Sequence, residues 1–154
     1  MTTSRPNTNT QLLMSPADRI AAESGDAILL VARVLLGVMF LIYGFNSFPN
    51  GLENYLRSLG MPIPAVMAPI GSVVQIVGGL CLIFGLMTRY ATVLIVFFVL
   101  IATAFAHRYW EFAGAARGAQ MANFWKNVTI IGGMAALFCT GGGRYSLDAL
   151  WRRS

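Results

Sequence analysis

The stretch AVMAPIGSVVQIVGGLCLIFGLM, residues 65–87, decides how this chain is read. It carries no charged side chain and only one amide, Gln75, near its middle. A helix rises about 1.5 Å per residue, so a segment of this length crosses the roughly 30 Å hydrocarbon core of a bilayer. Gly71, Gly78 and Gly85 recur along it every seven residues, and Gln75 falls between the first two on the same helical stripe. Helices in lipid have no hydrophobic drive to associate, so small residues mark the faces that approach closely and polar side chains turn inward. The spacing therefore places Gln75 in a bundle interior.

Three more stretches read the same way: Ala27–Phe45, interrupted only by Arg33, then Tyr90–Ala106 and Asn127–Gly143. With their flanks they give expected spans at about 27–47, 65–87, 90–109 and 124–143. The composition agrees: 56% of the residues are hydrophobic and 11% charged, where a soluble domain has about a quarter charged. The fold class is an all-α polytopic membrane protein, a four-transmembrane-helix bundle. Its membrane domain covers 26–150, after a flexible polar cytoplasmic tail over 1–25, and 144–154 form a cytoplasmic C-terminal segment. The tail lacks the apolar core of a signal peptide, so the first span is expected to act as the insertion signal. Ser15 is positioned to cap a short surface helix over 17–24.

Between the first two spans, Leu52, Tyr55, Leu56 and Leu59 recur at helical spacing up to Gly60, which predicts a short amphipathic helix in that outer loop. The segment from Tyr109 to Asn123, rich in Gly and Ala, reads as a mobile loop bracketed by Trp110 and Trp125 at the membrane interface. Arg5, Arg19, Arg89, Arg144, Arg152 and Arg153 fall on one side of the bilayer. Arg57, Arg108, Arg117 and Lys126 fall on the other. That bias puts both termini in the cytoplasm of a bacterial-type inner membrane. The net charge of +5 is scattered over span ends rather than gathered into a basic face with interleaved aromatics, so nucleic acid is excluded as a partner.

The polar exceptions define the candidate site. In span one Arg33, Gly37, Gly44 and Ser47 share a face. Arg33 either snorkels to headgroups or finds an interior partner, with Asp148 the nearest carboxylate by depth and the backbone carbonyls of spans two and four as alternatives. Tyr43 and Asn46 at the end of span one, His107 at the end of span three, and Asn127 at the start of span four lie at similar depth. Together with Gln75 they form a candidate set of hydrogen-bonding groups for a polar ligand head. Gly37, Gly44, Gly71, Gly78, Gly85 and Gly133 are the expected helix-packing glycines. Cys81 and Cys139 form no C-x-x-C, and with one histidine the chain holds neither a metal set nor a haem-ligand pair.

The chain resembles the DoxX family of small four-helix membrane proteins over roughly Asp26–Leu150. The resemblance rests on Arg33-Val34-Leu35-Leu36-Gly37 followed by Gly44, and on Tyr55 with Gly60-Met61-Pro62-Ile63-Pro64. It continues through Val77-Gly78-Gly79, then Gly85-Leu86-Met87-Thr88-Arg89 and Asn123 with Lys126-Asn127. The last motif is Gly141-Gly142-Gly143-Arg144-Tyr145-Ser146-Leu147-Asp148. Two positions depart from the family pattern. Asn46-Ser47 stand where a lysine is common, and Gln75 stands in the neighbourhood of a common glutamate. Both remove ionisable groups, so a proton relay through a titrating carboxylate in span two is not expected.

The resemblance implies a membrane subunit or accessory protein of an oxidoreductase system, in some members linked to quinone, and the lack of a haem-ligand pair or cysteine set leads to the expectation of no intrinsic cofactor. Its expected partners are the lipid bilayer, membrane oxidoreductase subunits and further copies of itself. No nucleophile–base pair, metal set or phosphate loop supports catalysis by this chain alone. The alternative reading is a small homo-oligomeric transporter or lipid-handling protein.

Overall fold

Ser15 opens the first helix. In the computed structural model of the chain, which describes residues 15–47 and 51–152, the Ser15 hydroxyl oxygen accepts the Asp18 N–H at 3.2 Å. Pro16 occupies the first turn, where its missing N–H costs nothing. Helix α1 then runs unbroken over Pro16–Asn46. The separate surface helix expected over 17–24 is merged into the span. Its alanines are good helix formers, and Gly25 alone costs only about 1 kcal/mol. The helix has 31 residues, longer than a bilayer core requires, so its polar first turns extend beyond the apolar stretch. The expectations for residues 1–14 lie outside the described residues.

Helix α2 (Gly51–Ser58) occupies the first loop, with Leu52 and Leu56 half-buried and Asn54 and Arg57 exposed. Helix α3 (Pro64–Phe84) ends at Gly85, whose left-handed φ of 64° lets its own N–H reach Leu82 O and the Leu86 N–H reach Cys81 O. That cap stops the helix three residues before the expected boundary at 87. Helix α4 (Thr88–Ala106) follows at once, then a 3₁₀ turn (Tyr109–Glu111). Helix α5 (Gly114–Thr140) and the short α6 (Leu147–Trp151) complete the described chain.

The segment expected as a mobile loop over 109–123 is therefore mostly helix. Gly114 and Gly118 suggested a loop, but Ala115, Ala116, Ala119, Gln120, Met121 and Ala122 outweigh them in helix propensity. At its other end α5 stops at Thr140 rather than 143, because Gly141 and Gly143 take positive φ.

Among the described residues, three helical segments are long and apolar enough to cross a membrane: Pro16–Asn46, Pro64–Phe84 and Thr88–Glu111. Helix α5 has the length, but Arg117, Gln120, Asn123 and Lys126 interrupt its first half.

Burial is inverted relative to a water-soluble protein. Leu35, Ile42, Ile70, Phe97 and Phe105 point outward, while Arg33, Ser72, Gln75, Thr92, Thr103 and Asn127 are buried. Such a surface fits lipid, and the fold is that of a membrane protein. The core beneath it is apolar, built from Phe40, Leu82, Ile95, Val99, Ile130, Met134 and Leu137.

Helix α1 packs along α3, α3 on α4, and α4 on α5, while α1 and α5 barely meet. The α1–α3 crossing is set by Gly37 and Gly79. A Cβ on Gly37 would lie 2.6 Å from Gly79 O, and one on Gly79 would lie 2.7 Å from Gly37 O. Only glycine allows the two backbones to come that close. Gly44 fits against Ile76 and Gln75, Gly78 against Ile95, and Gly71 against Leu52 and Phe98. Gly133 departs from the expectation. Its nearest neighbour for a Cβ is Leu36 Cδ1 at 3.9 Å, because α5 stands off from α1.

Candidate functional site

The two ends of the bundle are built differently. At the end where α3 passes into α4 and α5 into α6, Arg33 is fully buried. Its Nη1 donates to Leu82 O at 2.9 Å and Ile83 O at 3.3 Å, and its Nη2 donates to Tyr145 O at 2.6 Å. The guanidinium thus takes up the last carbonyls of α3, the negative end of that helix dipole, and also fastens the C-terminal segment. It is an interior residue rather than a snorkelling one.

The expected ion pair between Arg33 and Asp148 is not formed as a direct contact. The Asp148 carboxylate instead accepts the N–H groups of Met87 at 2.6 Å and Thr88 at 2.8 Å, at the start of α4. Those donors have no partner within their helix, and the positive end of a helix dipole favours an anion. Burial pushes the Asp148 carboxyl up. The N–H bonds from Thr88 and Met87 and the Arg152 guanidinium more than offset this and hold it below the ordinary carboxylate range.

Two further bonds tie the same junction. The Asp148 N–H donates to Gly85 O at 2.9 Å, and the Arg144 N–H donates to Asp26 Oδ1 at 2.9 Å. Gly85 leaves no room for a Cβ, which would collide with Arg33 Nη1 and Ser146 Cβ. Arg89 repeats the device on α5, donating from Nε to Phe138 O at 3.0 Å and from Nη2 to Cys139 O at 3.3 Å. This end is a lock, with its polar groups turned on one another.

The opposite end is open. Between α1, α3, α4 and α5, beneath α2, lies a cavity of about 950 Å³ whose wall is mainly apolar. Tyr43, Asn46, Gln75, His107 and Asn127 all line it, so five of the six residues singled out as ligand candidates meet in one space. Arg33 does not.

Their environments differ. Gln75 and Asn127 are each 7% exposed. Gln75 Nε2 donates to Gly71 O at 3.3 Å, and Asn127 Nδ2 donates to Thr103 Oγ1 at 2.9 Å. His107, at the end of α4, faces Gln120 Oε1 through Nδ1 at 2.8 Å. Tyr43 and Asn46 are exposed at the rim. There the Lys126 ammonium stands 5.2 Å from the Tyr43 ring centroid and bonds Asn123 Oδ1 at 3.0 Å. Helix α2 closes over the space through Tyr55, whose hydroxyl donates to Ala106 O at 3.0 Å.

Sequence reasoning passed over Gln120 and Tyr55 as parts of this site. One signal was present. Gln120, Asn123, Asn127, Ile130, Met134 and Leu137 fall on one face of α5, so its core stripe is polar for its first half and apolar for its second. A face of that kind lines a cavity at one end and a packed core at the other.

Comparison with known proteins places the chain. The DoxX family model matches residues 28–108. The inner membrane protein YphA of Escherichia coli (strain K12) is 38% identical over 123 residues, covering 79% of this chain and 88% of that protein. The inner membrane protein YqjF of the same organism is 32% identical over 127 residues, covering 81% of this chain and 92% of that protein. CatD of Bacillus subtilis (strain 168), provisionally named an oxidoreductase, is 33% identical over 66 residues, which is 42% of this chain and 48% of that protein. No solved structure matches the chain.

Proposed function

The chain belongs to the DoxX family of membrane proteins, and from there we propose that it is a non-catalytic accessory subunit of a membrane oxidoreductase system. In this reading it holds a lipid-soluble, ring-headed ligand of the quinone class in the cavity under α2. The observation that carries the proposal is the convergence of Tyr43, Asn46, Gln75, His107 and Asn127 on one apolar-walled space of about 950 Å³. Ligand sites of this kind combine a greasy wall with a few placed polar groups. A head of the quinone class, in its oxidised or reduced form, fits the residues present. The apolar wall suits an isoprenoid tail, and the amide, imidazole and phenol groups toward the rim suit the ring oxygens. The ligand would supply the redox chemistry, while this chain's residues bind and orient it and shield it from water.

The same reading makes α5 a fourth span, with its polar half lining the cavity rather than facing lipid. It lays α2 on the outer membrane surface and keeps both termini in the cytoplasm. The partial likeness to CatD, provisionally named an oxidoreductase, supports the redox setting. The test is purification of the tagged full chain from its native membranes in mild detergent, with mass spectrometry of the proteins and of the organic extract. A redox enzyme and a quinone recovered together support the proposal. A chain recovered with neither overturns it.

A further inference from the structure

The hydrogen bonds around the cavity have a direction that can be traced atom by atom. Thr103 Oγ1 donates its one proton to Val99 O at 2.6 Å. The 2.9 Å bond from Asn127 must therefore arrive as N–H from Nδ2. That orientation leaves the Asn127 carbonyl oxygen, Oδ1, with no donor among the described residues. Gln75 is fixed in the same way: Nε2 donates to Gly71 O at 3.3 Å, and Oε1 is left without a donor among the described residues. Both side chains are 93% buried, at 7% exposure, and both line the cavity.

His107 adds a third acceptor. A carboxamide oxygen only accepts, so the contact with Gln120 Oε1 at 2.8 Å puts the imidazole proton on Nδ1. In the neutral ring Nε2 is then a bare acceptor. Three residues of the wall thus each present to the cavity an acceptor without a donor among the described residues, and a ligand that displaces water from such an acceptor without donating to it loses a hydrogen bond.

Ligand chemistry follows from that polarity. A quinone ring offers carbonyl oxygens alone. It can take an amide N–H but leaves Gln75 Oε1, Asn127 Oδ1 and His107 Nε2 unpaired. A hydroxyl both donates and accepts, and so satisfies either side of each amide and the imidazole nitrogen. We infer that the cavity selects the reduced, hydroxyl-bearing form of its ligand, a hydroquinone head in preference to the corresponding quinone. The inference rests on the reading of the cavity as a site for a ring-headed, apolar-tailed molecule. It adds that the site is built for the product of quinone reduction, so the reaction that supplies its ligand is one that reduces a quinone.

The test is calorimetric titration of the full chain in lipid nanodiscs, without oxygen, with decyl-substituted benzoquinone and separately with its hydroquinone. Empty nanodiscs provide the correction for partitioning. The hydroquinone is expected to bind about tenfold more tightly, the size of one or two buried hydrogen bonds gained. Gln75→Leu and Asn127→Leu should each shrink that ratio severalfold, chiefly by weakening the hydroquinone. Equal or tighter binding of the quinone overturns the inference and leaves the ligand site standing. A ratio undiminished in both variants also overturns it. Binding of neither compound removes the ligand site itself, and the inference with it. The wild-type ratio decides the matter even if a variant fails to fold.

Discussion

Arg33 and Tyr145, 112 positions apart in sequence, meet where α3 passes into α4 and α5 into α6, the arginine Nη2 donating to the tyrosine carbonyl at 2.6 Å. Through that bond and those to Leu82 and Ile83, one buried cation joins α1, the end of α3 and the C-terminal segment. Arg33→Leu would leave the part-buried Ile83 and Tyr145 carbonyls without this donor, at about 1 kcal/mol each, while Leu82 O keeps the Gly85 N–H. It is expected to lower the unfolding midpoint in detergent and to expose the C-terminal segment to protease. Arg33→Lys should recover little of the loss, because an ammonium lacks the planar fork that reaches both sets of carbonyls.

The cap at the start of α4 responds to acid. The Asp148 pKa is depressed in the folded chain, so its contribution to stability is fully present above the unfolded carboxylate value of about 3.9. It is lost as pH falls through the folded value. Thermal unfolding of the wild type should therefore be insensitive to Asp148 between pH 5 and 8 and weaken below about pH 4. Asp148→Asn should be less stable at neutral pH and should lose part of that acid dependence.

The glycines separate into two classes that a stability scan would resolve. Gly79→Ala forces α1 and α3 apart at their backbone contact with Gly37, with an expected loss of about 1–3 kcal/mol. Gly133→Ala meets nothing closer than 3.9 Å. It is expected to be neutral or to gain up to about 1 kcal/mol from helix propensity. Reversible unfolding in mixed micelles checks both.

Tyr55 is the clasp between α2 and α4. Tyr55→Phe removes one hydrogen bond, worth about 1 kcal/mol, and keeps the ring. The expected result is a nearly unchanged unfolding midpoint with severalfold faster dissociation of a bound hydroquinone, followed by stopped-flow dilution.

Much of this architecture was legible in the chain. The seven-residue glycine stripe around Gln75 and the glycine face of Arg33 both specify burial, because lipid offers polar side chains no partner outside the bundle. Helix boundaries were less legible where local signals competed. Gly114 and Gly118 suggested a loop that alanine propensity turns into helix, and the polar start of α1 hid its continuity with the span. The Arg33–Asp148 pairing failed for a different reason. Depth places both groups at one end, but only three-dimensional structure shows that free N–H donors at Met87 and Thr88 meet the carboxylate and that carbonyls meet the guanidinium. Gly133 likewise shares a motif with Gly79, as Gly-Gly pairs in α5 and α3, yet rotation about each helix axis sets one against a backbone and leaves the other open.

The central claim, that the cavity under α2 holds a lipid-soluble ligand, is tested most directly by counting. The full chain and an Ala102→Trp variant are purified in parallel from the same membranes, and the quinone extracted per mole of protein is measured by mass spectrometry. Ala102 lines the cavity and is half-buried, so an indole there obstructs the space at the end of α4 away from the Arg33 lock. The account predicts about one ligand per wild-type chain and little above the detergent blank for a variant that elutes and unfolds like the wild type. A wild-type chain that carries no ligand, or a folded variant that carries as much as the wild type, would contradict it.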